Sequence, residues 1–243
     1  MSTKQATASQ DFTVIDSPLM TKVFCAFAGL ALLSLAISFG GRWFGHSIAL
    51  GGYSDDTTVR AVMIGDNVLA VPANTIRFAD ARRDGPAPRL DLYLRYPAMD
   101  GYSDAARDDF NGRGARRNIL FLAFEPQMMS RGMSGRFVPI YQSLIEQPGT
   151  PGPHGIIRYA FKATSGYLNE VLAVAYRPGQ EPFVARCLSG ESARETLAPC
   201  ERDILVGDRL SLTYRFPEEL LGDWQALDKA VAAEAERILK MPR

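Results

Sequence analysis

Two hydrophobic patterns divide the chain. From Val23 to Gly41 it reads VFCAFAGLALLSLAISFGG, nineteen residues without a charge, and from Thr57 onward apolar and polar positions alternate in short runs. At ~1.5 Å per residue, a helix over 23–41 reaches roughly 28 Å, close to the hydrocarbon thickness of a bilayer. Lys22 closes one end and Arg42, Trp43 and Phe44 the other, where a snorkelling cation and an indole prefer the interface. The run predicts a transmembrane helix. A cleaved signal peptide has a shorter leading segment and a shorter apolar stretch, and Ser38-Phe39-Gly40 is a poor cleavage site. A lipoprotein signal needs small residues before its cysteine, and Cys25 follows Lys22, Val23 and Phe24.

The alternating runs predict strands. TTVRAVMI and NVLAVPA flank Gly65-Asp66-Asn67, a hairpin turn, and RLDLYLRYP places Leu90, Leu92 and Leu94 on one face and Asp91, Tyr93 and Arg95 on the other. NILFLAF is a continuous apolar run, expected in the middle of a sheet. IIRYAFKA, EVLAVAYRP, PFVARCL and RLSLTYRF follow at short spacing, giving about eight strands. The segment 127–146 is ambiguous, with Val138-Pro139 arguing against a helix through its middle. From Pro217 the pattern changes: Leu220, Trp224, Leu227, Val231, Ala235 and Ile238 form one helical stripe. Pro217 suits its start, and Arg237 and Lys240 its C-terminal dipole end. The stripe is expected to dock on the sheet. The expected fold is therefore mainly β or α+β: an antiparallel, sandwich-like β-rich domain ending in an amphipathic C-terminal helix and preceded by one transmembrane helix.

The segments divide as a disordered tail (1–22), the span (23–41), a juxtamembrane linker (42–56) and the domain (57–243), with its last helix at 217–240. Charge leaves the orientation of the span open, since Lys4 and Lys22 on one side balance Arg42 and Arg60 on the other. Cysteines decide it. Cys187 and Cys200 end two strand-like runs, with twelve residues rich in Gly, Ser and Pro between them. That arrangement suits a disulfide closing a hairpin-like loop, worth about 3 kcal/mol in the chain-entropy picture, and such a bond persists only in an oxidising compartment. The tail is then cytoplasmic and the domain periplasmic, at a bacterial inner membrane; the chain has no N-x-Ser/Thr sequon.

Lys plus Arg equals Asp plus Glu at 27 each, which argues against nucleic-acid binding and against a polybasic membrane-surface binder. Two histidines, His46 and His154, have no ligand partners at metal spacing, and no nucleophile elbow is present, so neither a metal nor a cofactor is expected. The stretch DGYSDAARDDFNGRGARR carries Asp100, Asp104, Asp108 and Asp109. A calcium loop aligned on Asn111-Gly112 puts Arg107 and Asn118 at its first and last ligand positions and fails. Arg113, Arg116 and Arg117 follow as a candidate site for an anionic partner. In the membrane helix, Ser34, Ser38, Gly41 and Gly45 form a small-residue face that lets two helices approach closely. These features point to a non-enzymatic interaction, scaffolding or accessory protein of the envelope, with lipid around its span and an envelope protein or a second copy as partner. The competing expectation is a tethered enzyme acting on cell-wall or lipid substrates through carboxylates in 100–109, Asp104 and Asp109 among them.

Overall fold

The computed structural model describes residues 17–50, 52–114 and 117–240, with side chains described there except at 17, 19, 36, 38–50 and 240. It divides into two compact units, Met1–Gly51 and Gly52–Arg243. The first contains helix α1, Ser17–Leu50, which is longer at both ends than the uncharged run within it. Phe24, Phe27, Leu30, Leu32, Leu33, Leu35 and Ile37 stand exposed on it. Among the described residues no helix is long and apolar enough to cross a membrane, so the span expected over 23–41 rests on the sequence. Ser34 is exposed; Ser38, Gly41 and Gly45, the rest of the expected small-residue face, lie outside the described side chains, as does His46.

The second unit is β-rich. In chain order its strands are β1 (Val59–Ile64), β2 (Asn67–Pro72), β3 (Gly85–Pro86), β4 (Leu90–Arg95), β5 (Ile119–Pro126), β6 (Thr150–Pro151), β7 (Ile156–Ala160), β8 (Glu170–Arg177), β9 (Gln180–Leu188), β10 (Cys200–Val206), β11 (Leu210–Phe216) and β12 (Leu239–Lys240). Four helices accompany them: α2 (Arg107–Phe110), α3 (Gln142–Leu144), α4 (Gly190–Glu195) and α5 (Trp224–Ile238). The larger sheet has eight strands in the order β4-β5-β11-β10-β9-β8-β7-β6, antiparallel throughout; the smaller has the order β12-β2-β1-β3, with β1 and β3 parallel. Gly65, at φ +57°, opens the two-residue turn between β1 and β2, where a side chain would be strained.

Alternation sorts the strands onto two cores. Leu90, Leu92 and Leu94 of β4, Leu120, Leu122 and Phe124 of β5, and Leu210, Leu212, Tyr214 and Phe216 of β11 face a principal core shared with Val62, Ile64, Leu69 and Val71 of the smaller sheet. The predicted C-terminal stripe joins it: Trp224, Leu227, Val231, Ala235 and Ile238 are all buried. Its helix begins later than expected, because Glu218–Asp223 form a tight 3-10 turn ahead of α5. The opposite face of β7–β9 is covered by the ambiguous segment: Met133, Phe137, Tyr141 and Ile145 pack on Tyr159, Leu172, Val174 and Val184. Pro139 is accommodated there in a wide π-helical turn, Phe137–Tyr141, closed by the Tyr141 amide on the Arg136 carbonyl at 3.2 Å.

Tyr53, in the segment read as linker, stacks on Tyr102 at 4.8 Å and meets Tyr93 and Phe110 edge-on, and its hydroxyl donates to the Phe110 carbonyl at 2.7 Å. The acidic loop is thus held to the domain from one side. From the other, Asn74 Nδ2 donates to the Tyr102 carbonyl (2.8 Å) while the Tyr102 amide donates to the Asn74 carbonyl (3.0 Å). Gly101 lets the two backbones meet, since a Cβ there would lie 2.6 Å from the Asn74 carbonyl oxygen. Gly101→Ala should cost about 1–3 kcal/mol, read as a lower thermal midpoint of the full chain in mild detergent; an unchanged midpoint would show that the loop yields freely.

Candidate functional site

The eight-stranded sheet is two four-stranded halves joined along a short seam. β10 pairs with β11 over seven positions and β8 with β9 nearly end to end, but β9 and β10 share only Cys187↔Cys200 and Arg186↔Glu201. The expected disulfide is formed at this seam between two buried cysteines, 2% and 0% exposed.

Beyond Glu201 the strands part, and Arg202 fills the opening. Its Nη1 donates to the Val184 carbonyl at 3.0 Å, which has no β10 partner there, and to Ser134 Oγ at 2.9 Å. Its Nε donates to Asp228 of α5 at 2.9 Å. Asp228 also accepts from the Tyr214 hydroxyl at 2.8 Å and pairs with Arg177. Burial works to raise the Asp228 pKa, but the charge of Arg202 and the bonds from Arg177, Arg202 and Tyr214 outweigh it and hold the carboxyl below its ordinary value. Burial pushes the Tyr214 hydroxyl well above its ordinary value. The cluster fastens α5 to both halves of the sheet.

Two concave surfaces adjoin the seam. The larger is a groove of ≈ 710 Å³ whose charged lining is Arg117, Arg158 and Arg194 against Glu146, Glu218 and Glu219; Leu188 and Pro199, next to the disulfide, complete one wall. Arg158 pairs with Glu218 at 2.7 Å, while its Nε is buried without a partner. The smaller is a recess of ≈ 240 Å³ on the outer face of the sheet. Glu201 and Asp203, two apart on β10, point into it together with Glu125 of β5 and Ser211 and Thr213 of β11. Arg136 pairs with Asp203, and Arg186 pairs with Glu201 and, at 3.5 Å, with Glu170. Tyr141, Tyr167, Met128 and Met129 form its walls and rim. Burial raises the pKa of Asp203 and of Glu170; their arginine neighbours oppose the shift and the like charge of Glu201 adds to it.

The three candidate arginines are not brought together as one binding cluster. Arg117 lines the larger groove, Arg113 stands exposed in the turn after α2, and Arg116 lies outside the described residues. The carboxylates of 100–109 serve the loop: Asp100 and Asp109 both pair with Arg95, at 2.7 and 3.3 Å, and Asp104 pairs with Arg107 at 2.8 Å. His154 is exposed in the turn Pro153–Gly155, its carbonyl accepting from Trp224 Nε1 at 3.1 Å. Among the described residues no group of three or more His, Cys, Asp or Glu is placed to hold a metal ion. The residues that sequence reasoning missed are those of the recess and of the Arg202–Asp228 cluster. Their signal was the run Glu201-Arg202-Asp203 directly after a cysteine, which puts charge on both faces of one strand.

No protein-family model matches the chain, and no curated protein does. Two solved structures are similar to it. Smlt3025, an immunity protein of the Stenotrophomonas maltophilia type IV secretion system, is 16% identical, covers 78% of this chain and 95% of its own, and has a TM-score of 0.47. The Neisseria meningitidis iron-regulated outer membrane lipoprotein FrpD is 10% identical, covers 76% of this chain and 95% of its own, and has a TM-score of 0.38. Both are too distant to say what this chain binds.

Proposed function

We propose that this chain is a non-enzymatic interaction protein of the bacterial envelope. In this reading α1 anchors it in the inner membrane, its N-terminal tail is cytoplasmic, and the β-rich domain docks a partner protein in the periplasm. The observation that carries the proposal is the open ≈ 710 Å³ groove beside the disulfide seam, lined by three arginines and three glutamates. Charges of both signs on one concave surface select a partner by complementarity, and Arg117 contributes there as one of the anion-seeking residues. The buried Cys187–Cys200 bridge supports residence in an oxidising compartment. The uncharged run within α1 supports the anchor, and the small residues Ser34, Ser38, Gly41 and Gly45 offer a surface for a second membrane helix.

The test is a photo-crosslinking amino acid in place of Arg194, exposed on the wall of the groove, in the full chain expressed in its native host. We expect one discrete adduct with an envelope protein, or with a second copy of the chain, reduced about tenfold by Arg117→Glu, since charge reversal at a desolvated contact costs more than ~1.4 kcal/mol. Turnover of an envelope substrate by the purified chain, lost in Asp104→Asn or Asp109→Asn, would replace this reading with the enzymatic one.

A further inference from the structure

The recess on the outer face of the sheet has the chemistry of a socket for one basic side chain. Three carboxylates line it, Glu125, Glu201 and Asp203, against two guanidiniums, Arg136 and Arg186. Each guanidinium is already committed to a carboxylate, Arg136 to Asp203 and Arg186 to Glu201, and Glu170 adds a further negative charge behind Arg186. Glu125 is left with Arg89 at 3.3 Å, a contact between side chains 36% and 51% exposed that solvent largely screens. The lining therefore carries more carboxylates than guanidiniums, three against two.

The rest of the lining suits a long aliphatic stem with a charged tip. Arg136 and Arg186 already lie over Tyr141 and Tyr167, at 5.9 and 5.1 Å from the ring centroids, so both rings are oriented toward cations. Met128 and Met129 stand at the rim, 87% and 52% exposed, and exposed methionine is a common, adaptable component of protein-binding surfaces. A volume of ≈ 240 Å³ admits a side chain; a helix, ~10–12 Å across, does not fit.

We infer that the recess receives a lysine or arginine side chain presented by the partner protein, its stem against Met128 and Met129 and its charge between Glu125 and the Glu201–Asp203 pair. The inference rests on the reading of the domain as a docking module and adds to it the chemistry of the partner and a second point of attachment, which shares no lining residue with the groove.

The experiment places a photo-crosslinking amino acid at Met128 of the full chain in its native host, in parallel with the one at Arg194. We expect a Met128 adduct whose crosslinked partner peptide contains a lysine or arginine. Glu125→Gln should reduce the adduct several-fold and Glu125→Lys by roughly tenfold or more. Glu125 is half-exposed and outside the Arg136 and Arg186 pairs, so these variants leave the fold intact, as an unchanged thermal midpoint would verify. An adduct indifferent to Glu125→Lys, or to a peptide without a basic residue, overturns the inference. An adduct at Arg194 with none at Met128 also overturns it and leaves the docking reading standing, whereas none at either position removes both. Saturable binding of agmatine to the purified chain with no Met128 adduct would make the recess a small-amine site instead, and the inference of a protein partner would fail.

Discussion

Asp228→Ala should destabilise the domain by roughly 3–5 kcal/mol, the cost of leaving a buried charge without its partner. Arg202 is the charge left behind. Its side chain is 5% exposed, and with Asp228 gone its Nε has lost its acceptor, while Nη1 keeps only the Val184 carbonyl and Ser134 Oγ. Tyr214, fully buried, loses the acceptor of its hydroxyl as well. The thermal midpoint of the full chain in mild detergent measures the loss. At about 2–4 °C per kcal/mol for a domain of this size, the midpoint should fall by roughly 6–20 °C. The acid limb of stability gives a second readout. The folded-state pKa of Asp228 is depressed, so its contribution is complete above the ordinary value of 3.8 and is lost as pH falls below it through the folded value. Asp203 and Glu170 have the opposite sign: their raised pKa values remove stability as pH rises from their ordinary values of 3.8 and 4.5 through the folded ones. Asp228→Asn should therefore flatten the fall in stability below about pH 4, and an unchanged acid limb would show that the ion pair contributes nothing.

The double substitution Cys187→Ala with Cys200→Ala should cost about 3 kcal/mol from loop closure alone, and its effect should be unevenly distributed. Only two residue pairs join β9 to β10, and one of them is the disulfide pair itself. Without the bridge, the β6–β9 half is held to the rest by Arg186–Glu201, Arg202, Arg177–Asp228 and Arg158–Glu218, by the Leu188 amide on the Pro199 carbonyl and by packing. Amide hydrogen exchange should accelerate more in β8 and β9 than in β5 and β11, which are joined by a six-pair ladder. Uniform acceleration across all eight strands would show that the seam is no weaker than the rest. Because both cysteines are buried, a reductant should act on the native protein only through opening of the sheet.

The strands that the sequence revealed are those whose apolar positions keep a simple period. Eight alternating or continuous apolar runs became β1, β2, β4, β5, β7, β8, β9 and β11, and the helical stripe became the buried face of α5. β10 was legible only as a flank of Cys200, because the inward position between Cys200 and Ile204 holds Arg202, and an inward arginine interrupts the alternation that marks a strand. β3, β6 and β12, two residues each, are too short to carry a period. The disulfide could be read because it joins the ends of two recognisable runs. The recess could not: its side chains come from β5, β9, β10, β11, the 127–146 segment and the loop before β8 that carries Tyr167, and only the fold brings them together. The acidic stretch drew attention by density of charge, yet Arg95, upstream of it, takes up two of its carboxylates.

The borders of the two sheets bear on how other polypeptides can attach. The eight-stranded sheet ends on one side at β6, two residues of which Pro151 supplies no amide hydrogen, and on the other at β4, whose outer rim is occupied by the Ile76↔Leu92 bridge and by the Arg77 amide on the Asp91 carbonyl at 2.9 Å. The smaller sheet ends at β3, which contains Pro86, and at the two-residue β12. Among the described residues, borders this short, bridged or proline-bearing give an incoming extended chain no run of main-chain donors and acceptors to pair with. Recruitment by strand addition is therefore disfavoured, and so is templated growth of one molecule onto the next. A binder then recognises side chains on a surface, which makes its selection a matter of residue identity and leaves it open to tuning by single substitutions.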